Sequence, residues 1–119
     1  MNHDPDCIFC KIIEGKIPSQ KVYEDELVYA FKDIHPWAPV HFLIVPKEHI
    51  PSMEQAGPQH EKLLAHMLLL APRLAKEQGC NPYPAGGYRL QINTGTEGGQ
   101  EVYHLHLHVV GGSRPWFKA

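Results

Sequence analysis

The 119-residue chain has no run of basic residues, no long apolar stretch and only three cysteines. Each shortage removes a class of function. Lys and Arg number 11 against 13 Asp and Glu, a formal charge of −2, so a polymeric nucleic acid would meet no dense positive surface. No segment offers the roughly 20 apolar residues of a membrane-spanning helix, so no membrane partner is expected. The start, Met1-Asn2-His3-Asp4-Pro5-Asp6, carries neither the basic nor the apolar part of an export signal. Three cysteines cannot all pair, and Cys7 and Cys10 form a C-x-x-C, which suits a cytoplasmic chain with reduced thiols. The motif G-x-x-x-x-G-K-[ST] is missing, which argues against phosphate handling of the P-loop kind. With 43% hydrophobic and 20% charged residues, the chain reads as one globular domain over 1–119, with tails at 1–5 and 113–119.

What the chain does have is histidine, and it is concentrated in Glu101-Val102-Tyr103-His104-Leu105-His106-Leu107-His108-Val109-Val110-Gly111-Gly112. Side chains alternate along an extended strand, so His104, His106 and His108 are expected on one face and Leu105, Leu107 and Val109 on the other. A strand whose outer face is merely polar is the bland alternative, but β-propensity gives no reason for three histidines in five residues.

The remaining pattern predicts a short helix over 7–14, with Asp6 as its N-cap and Gly15 as its stop. Strands follow at 21–24 and 27–32, joined by a tight Asp25-Glu26 turn, and at 41–45 after a proline-rich loop. One long helix is expected over 59–78, with an apolar stripe of Leu63, Leu64, Met67, Leu68, Leu70 and Leu74 and with Pro72 inside it. A strand at 88–93, a loop with three glycines and the histidine strand complete the chain. These elements predict an α+β fold, a five-stranded antiparallel sheet with one long and one short helix.

The loop Asn93-Thr94-Gly95-Thr96-Glu97-Gly98-Gly99-Gln100 lets backbone N–H groups approach an anion closely, a property shared by ordinary hairpin loops. Beside three aligned imidazoles it points to a phosphate attacked by a histidine nitrogen. His106 is the natural nucleophile because it has a neighbour on each side, and His41 would join the cluster if its strand lies beside the last one. The two thiols Cys7 and Cys10, at the start of the first helix, stand where a structural metal is often anchored. Cys80 looks unrelated to it, and His3, His35, His60 and His66 are expected at the surface.

His104-Leu105-His106-Leu107-His108-Val109-Val110 resembles the His-x-His-x-His-x-x signature of the histidine triad (HIT) family of nucleotide hydrolases and transferases. The likeness extends through Cys7-Ile8-Phe9-Cys10-Lys11-Ile12-Ile13, Ala30-Phe31-Lys32-Asp33-Ile34, the stretch from Ala38 to Lys47, and Gly98-Gly99-Gln100-Glu101-Val102-Tyr103. Gly111-Gly112 is similar to the Hint branch, the purine nucleoside phosphoramidases.

The resemblance implies a HIT-like fold and a purine nucleotide substrate, AMP, GMP or a phosphoramidate such as AMP joined to an amine, cleaved through a nucleotidyl-histidine on His106. It gives His104, His108 and His41 supporting catalytic roles. It places Asp33 on the ribose hydroxyls, Ile8, Phe9, Ile12, Phe31 and Ile34 around the purine, and Asn93, Gly99, Gln100, Val102 and His108 around the α-phosphate, with Glu101 also among the nucleotide-binding residues. Plain core packing is an equal reading of Ile12. Glu101 departs from relatives with a serine that assists the leaving amine; a protonated carboxyl there could donate, and an ionised one would repel the phosphate. The resemblance further implies a structural zinc on Cys7, Cys10, His49 and His104, no requirement for a catalytic metal, and a homodimer formed through the long helix and an edge strand, with Trp116 near the partner's site. Two alternatives remain: a phosphoester hydrolase with catalytic zinc on the histidine strand, and a non-catalytic nucleotide-binding regulator.

Overall fold

The computed structural model describes residues 6–116. The expected tail at 1–5 with His3, and the last three residues of the expected C-terminal tail, lie outside them. The elements run α1 (Ile8–Ile13), β1 (Lys21–Glu24), β2 (Val28–Lys32), β3 (Val40–Pro46), α2 (Glu61–Glu77), β4 (Tyr88–Gln91) and β5 (Leu107–Gly111). Two 3-10 turns, Met53–Gln55 and Pro58–His60, lead into α2. All five strands pair antiparallel in the order β1-β2-β3-β5-β4, the α+β sheet that the sequence predicts. Because α2 carries the chain from β3 to the β4–β5 pair, β5 returns beside β3. Val40 to Ile44 therefore face Gly111 to Leu107.

The central strands are covered on both faces, which explains their nearly continuous apolar sequence. On one side Val28, Ala30, Phe42, Ile44, Leu105, Leu107 and Val109 pack with Leu63, Met67, Leu70 and Leu74 of α2. On the other, Tyr29, Phe31, Leu43 and Val45 pack with Phe9 and Ile12 of α1. Each fully buried side chain of this size contributes roughly 1.5–3 kcal/mol relative to exposure.

Several expected details are corrected. The N-cap of α1 is Cys7, whose Sγ accepts from the Cys10 N–H, rather than Asp6. Helix α2 begins at Glu61, because Pro58 opens a 3-10 turn and the His60 ring accepts the Gly57 N–H at 3.0 Å. His60 is thereby buried, with Nε2 against Glu48 Oε2, and is not a surface residue. Leu68 falls outside the buried stripe at 47% exposure, where Ala71 and Ala75 take the inner positions.

The histidine strand is also shorter than expected: β5 begins at Leu107, so only His108 lies in the ladder. Pro46 at the end of β3 has no N–H to extend the pairing. The chain ahead of Leu107 is held differently, by the Leu105 N–H to Ile50 O at 2.7 Å. The alternation nevertheless persists, since Leu105, Leu107 and Val109 enter the α2 core while Phe9, from α1 on the other face, meets the rings of His104 and His106 edge-on.

Asp25 ties the β1–β2 turn to α2. Its Oδ1 accepts the Leu27 and Val28 N–H groups, and its Oδ2 accepts from Tyr23 OH at 2.9 Å and meets His66 Nε2 at 2.6 Å. Burial alone would raise its pKa, but the bonds from His66, the two amides and Tyr23 outweigh it and bring the carboxyl down to about 2. A depressed carboxylate stabilises the fold above its unfolded pKa, near 4, and that stability is lost as pH falls toward the folded value. Discounting for its partial exposure, Asp25→Asn should remove about 1 kcal/mol of the stability the wild type loses between roughly pH 4 and pH 2. Urea midpoints measured across that range check this; parallel curves for the two proteins would refute it.

Candidate active site

One cavity of about 380 Å³ opens on the α1 side of the sheet, lined by Phe9, Asp33, His35, Trp37, Leu43, Asn93, Gly99, Glu101, Val102, His106 and His108. Its size is in the range of small-molecule sites. A larger cavity, about 580 Å³, is lined by residues 85–89 and 112–114 with Asn81 and Trp116 and, among the described residues, has no histidine.

The three histidines do different things, although they share one face. His106 is buried, and its Nδ1 donates to the backbone carbonyl of His104 at 2.7 Å. That bond puts the ring proton on Nδ1 and leaves Nε2 as the lone-pair nitrogen. Burial lowers the basicity of this ring, against opposing effects from the His104 carbonyl, Asp33 and Glu101. A neutral imidazole with a defined lone pair is the form a nucleophile requires.

His108 forms a pair with His41, brought together because β3 and β5 are neighbours. The Trp37 N–H donates to His41 Nδ1 at 3.2 Å, so His41 carries its proton on Nε2. His41 Nε2 lies 2.9 Å from His108 Nδ1 and donates to it, which places the His108 proton on Nε2. His108 is thus a donor in the cavity beside the His106 ring, the two centroids 4.9 Å apart. Asp33 Oδ2 is 3.6 Å from His41 Nε2 and its Oδ1 accepts the His35 N–H. Asp33, His41 and His108 also lie close enough together to hold a metal, which would have to displace the proton between the two rings.

His104 turns the other way. Its Nε2 donates to Pro46 O at 2.8 Å, and its Nδ1 faces Cys7 Sγ at 3.3 Å, Cys10 Sγ at 3.6 Å and His49 Nδ1 at 3.0 Å. Cys10 Sγ to His49 Nδ1 is 3.5 Å. Metal–ligand bonds of about 2.0 Å to nitrogen and 2.3 Å to sulfur give tetrahedral edges of roughly 3.3–3.8 Å, close to these separations. The backbone bond to the far nitrogen of His104 is the usual way a ligating imidazole is oriented. The four residues therefore fit a metal of tetrahedral S₂N₂ preference.

The other expected contacts divide. Phe9, Asp33, Asn93, Gly99, Glu101 and Val102 line the cavity. Phe31 and Ile12 are buried behind Phe9 in the second core cluster. Ile8 borders a separate groove with His49 and Tyr103, and Ile34 is 85% exposed. Gln100 is buried and faces inward: Oε1 accepts the Gly95 N–H, and Nε2 donates to Pro51 O and Val102 O. It braces the loop that carries Gly99, whose φ of 84° suits glycine. Gln100→Ala would remove three hydrogen bonds from these half-buried partners and should cost about 1–2 kcal/mol, read as a lower urea midpoint; an unchanged midpoint would mean the loop is braced otherwise.

His35, Trp37 and Leu43 line the cavity and were not expected there. For His35 and Trp37 the available signal was position, since 33–39 is a proline-stiffened loop that leads directly into the strand bearing His41, and for Leu43 it was the two-residue spacing from His41 on β3.

A family model described as "Scavenger mRNA decapping enzyme C-term binding" matches residues 6–117. Protein HitA of Neisseria gonorrhoeae is 50% identical over 105 residues, covering 88% of this chain and 94% of that protein. The purine nucleoside phosphoramidase of Escherichia coli K12 is 48% identical over 105 residues, covering 88% and 86%. Among solved structures, a HIT family hydrolase from Legionella pneumophila Philadelphia 1 superposes with a TM-score of 0.85 at 46% identity, covering 92% of this chain and 95% of that one. A histidine triad protein from Clostridium difficile gives 0.87 at 43%, covering 95% and 96%.

Proposed function

Given that the chain belongs to the histidine triad family, we propose that it hydrolyses purine nucleoside phosphoramidates through a nucleotidyl-histidine on His106. The observation that carries this reading is the His106 ring: buried, neutral, its proton fixed on Nδ1 by the His104 carbonyl, and facing a nucleotide-sized cavity. The 48% identical purine nucleoside phosphoramidase supports the substrate class.

In the first step the Nε2 lone pair of His106 attacks phosphorus in line, the P–N bond to the amine breaks, and the amine leaves with a proton taken from water in the open cavity. In the second step water attacks the phosphorus of the adduct, the P–Nε2 bond breaks to return the neutral His106 ring, the proton lost by the water passes to solvent, and the nucleoside monophosphate is released. The His108 Nε2–H donates to a phosphoryl oxygen as charge builds up on it. Asp33 takes the ribose hydroxyls and Phe9 the purine. Zinc on Cys7, Cys10, His49 and His104 would be structural, tying α1, the segment after β3 and the approach to β5. The homodimer reading draws support from edge strand β4, where Tyr88 and Leu90 are 39% and 36% exposed, and from Leu69 of α2 at 78%.

The test is a single turnover with adenosine 5′-phosphoramidate labelled in the adenosine, quenched and digested for mapping. An adenylate on the peptide carrying His106 is expected. Turnover abolished by chelation, with no adduct at any time, would instead favour a metal-activated hydroxide as the nucleophile.

A further inference from the structure

Neither the nucleophile nor the ribose contact uses the indole of Trp37, yet this ring lies against both members of the imidazole pair. Its centroid is 4.6 Å from that of His108 with the planes only 21° apart, and 4.6 Å from that of His41 at 45°. The same residue's N–H donates to His41 Nδ1. The loop that presents it is closed at its base by the Asp33 N–H to His41 O at 3.1 Å. Pro36 and Pro39 restrict the backbone on either side, and Ala38 is buried. Trp37 is therefore held in place independently of any substrate.

An imidazole turns about its outer torsion in a broad, roughly two-fold well, so a histidine's position alone does not decide which nitrogen it presents. For the His41–His108 pair the choice matters, because only one arrangement leaves an N–H on His108 Nε2. A flat aromatic face at stacking distance from both rings resists their rotation.

We propose that Trp37 is a positioning residue for the reaction: its indole keeps the His41–His108 pair in the orientation and tautomers that make His108 Nε2–H the donor to the phosphoryl oxygen. This deepens the reading of His106 as nucleophile and rests on it. Trp37→Ala keeps the backbone donor to His41 and removes the ring, which takes away the stacking contact together with part of the cavity wall; the tautomer of the ligand-free protein reads the first alone. Trp37→Phe restores an aromatic face, and Trp37→Leu fills space without one should the alanine protein fail to fold.

The readouts are steady-state kinetics on adenosine 5′-phosphoramidate and ¹⁵N-detected imidazole tautomers of the full chain by NMR. In Trp37→Ala or Trp37→Leu, kcat should fall roughly 10- to 100-fold with KM changed less than about threefold, the loss expected when reacting groups are misplaced. His108 should pass from one tautomer to a mixture, and Trp37→Phe should recover most of both. Wild-type kcat, a rise confined to KM, or a loss of kcat with the His108 tautomer unchanged would each overturn the proposal. The tautomer of ligand-free protein is read without any turnover, so a failure here is distinct from a failure to find the His106 adduct.

Discussion

Replacing His106 by alanine is expected to lower kcat on a nucleoside phosphoramidate by at least about 10⁴-fold while leaving AMP affinity within a few-fold of wild type. The asymmetry follows from the geometry. The ring is one of eleven residues around the cavity, so its loss removes little binding surface. It removes the one imidazole, among the described residues of the cavity, whose proton is fixed by a backbone carbonyl in the arrangement that frees Nε2. The methyl group that replaces it leaves room for water, and direct hydrolysis by that water lacks the near-attack placement the covalent route uses. Kinetics and AMP titration calorimetry on the same preparation check both halves. Retention of more than a few per cent of kcat would exclude His106 as the nucleophile.

Stripping metal from the Cys7–Cys10–His49–His104 cluster is expected to lower the melting temperature by about 10 °C, equivalent to roughly 3 kcal/mol for a domain of this length. A larger effect is not expected, because the core on the α2 side contains none of these four side chains; Cys7 packs against the other cluster, where Phe9 meets the His104 ring, so that side should loosen first. Without a metal the cluster would hold two thiols and two imidazole nitrogens close together, with the His104 ring still tied to Pro46 O. Metal analysis should give about one zinc per chain. Cys10→Ser should melt near the chelated wild type and respond no further to chelator. A protein without zinc whose melting is indifferent to chelation would reduce the cluster to buried packing.

The fold was largely legible in the sequence because its period-2 and helical patterns are strong. Val28 and Ala30 against Tyr29 and Phe31 separate onto the two sheet faces as the alternation requires. What the sequence concealed was set by single backbone groups. Pro46 cannot extend the ladder, so β5 is shorter than its alternating pattern implies. Cys7 caps α1 with sulfur, a role the ordinary capping preferences do not suggest. At the site, the four imidazoles were visible, but their division of labour was not. His104 serves His106 through its main-chain oxygen and sends its ring elsewhere, a split that no spacing rule encodes. Trp37 was passed over because a proline-flanked loop has no periodicity from which to read a direction. His60 looked like a surface residue because the bond that buries it comes from Gly57, three positions earlier.

The alternation ahead of β5 constrains how this chain can change in length. Leu105, Leu107 and Val109 enter one core while the histidines between them face the other side, so one residue inserted between Leu105 and Leu107 would invert the upstream part of the set. Imidazole would be driven against Met67 and Leu74, and leucine would line the nucleotide cavity. Residues 81–85 carry no such burden, being exposed loop between α2 and β4. Natural length variation, and any engineered fusion or circular permutation, should therefore accumulate in the second segment and be purged from the first.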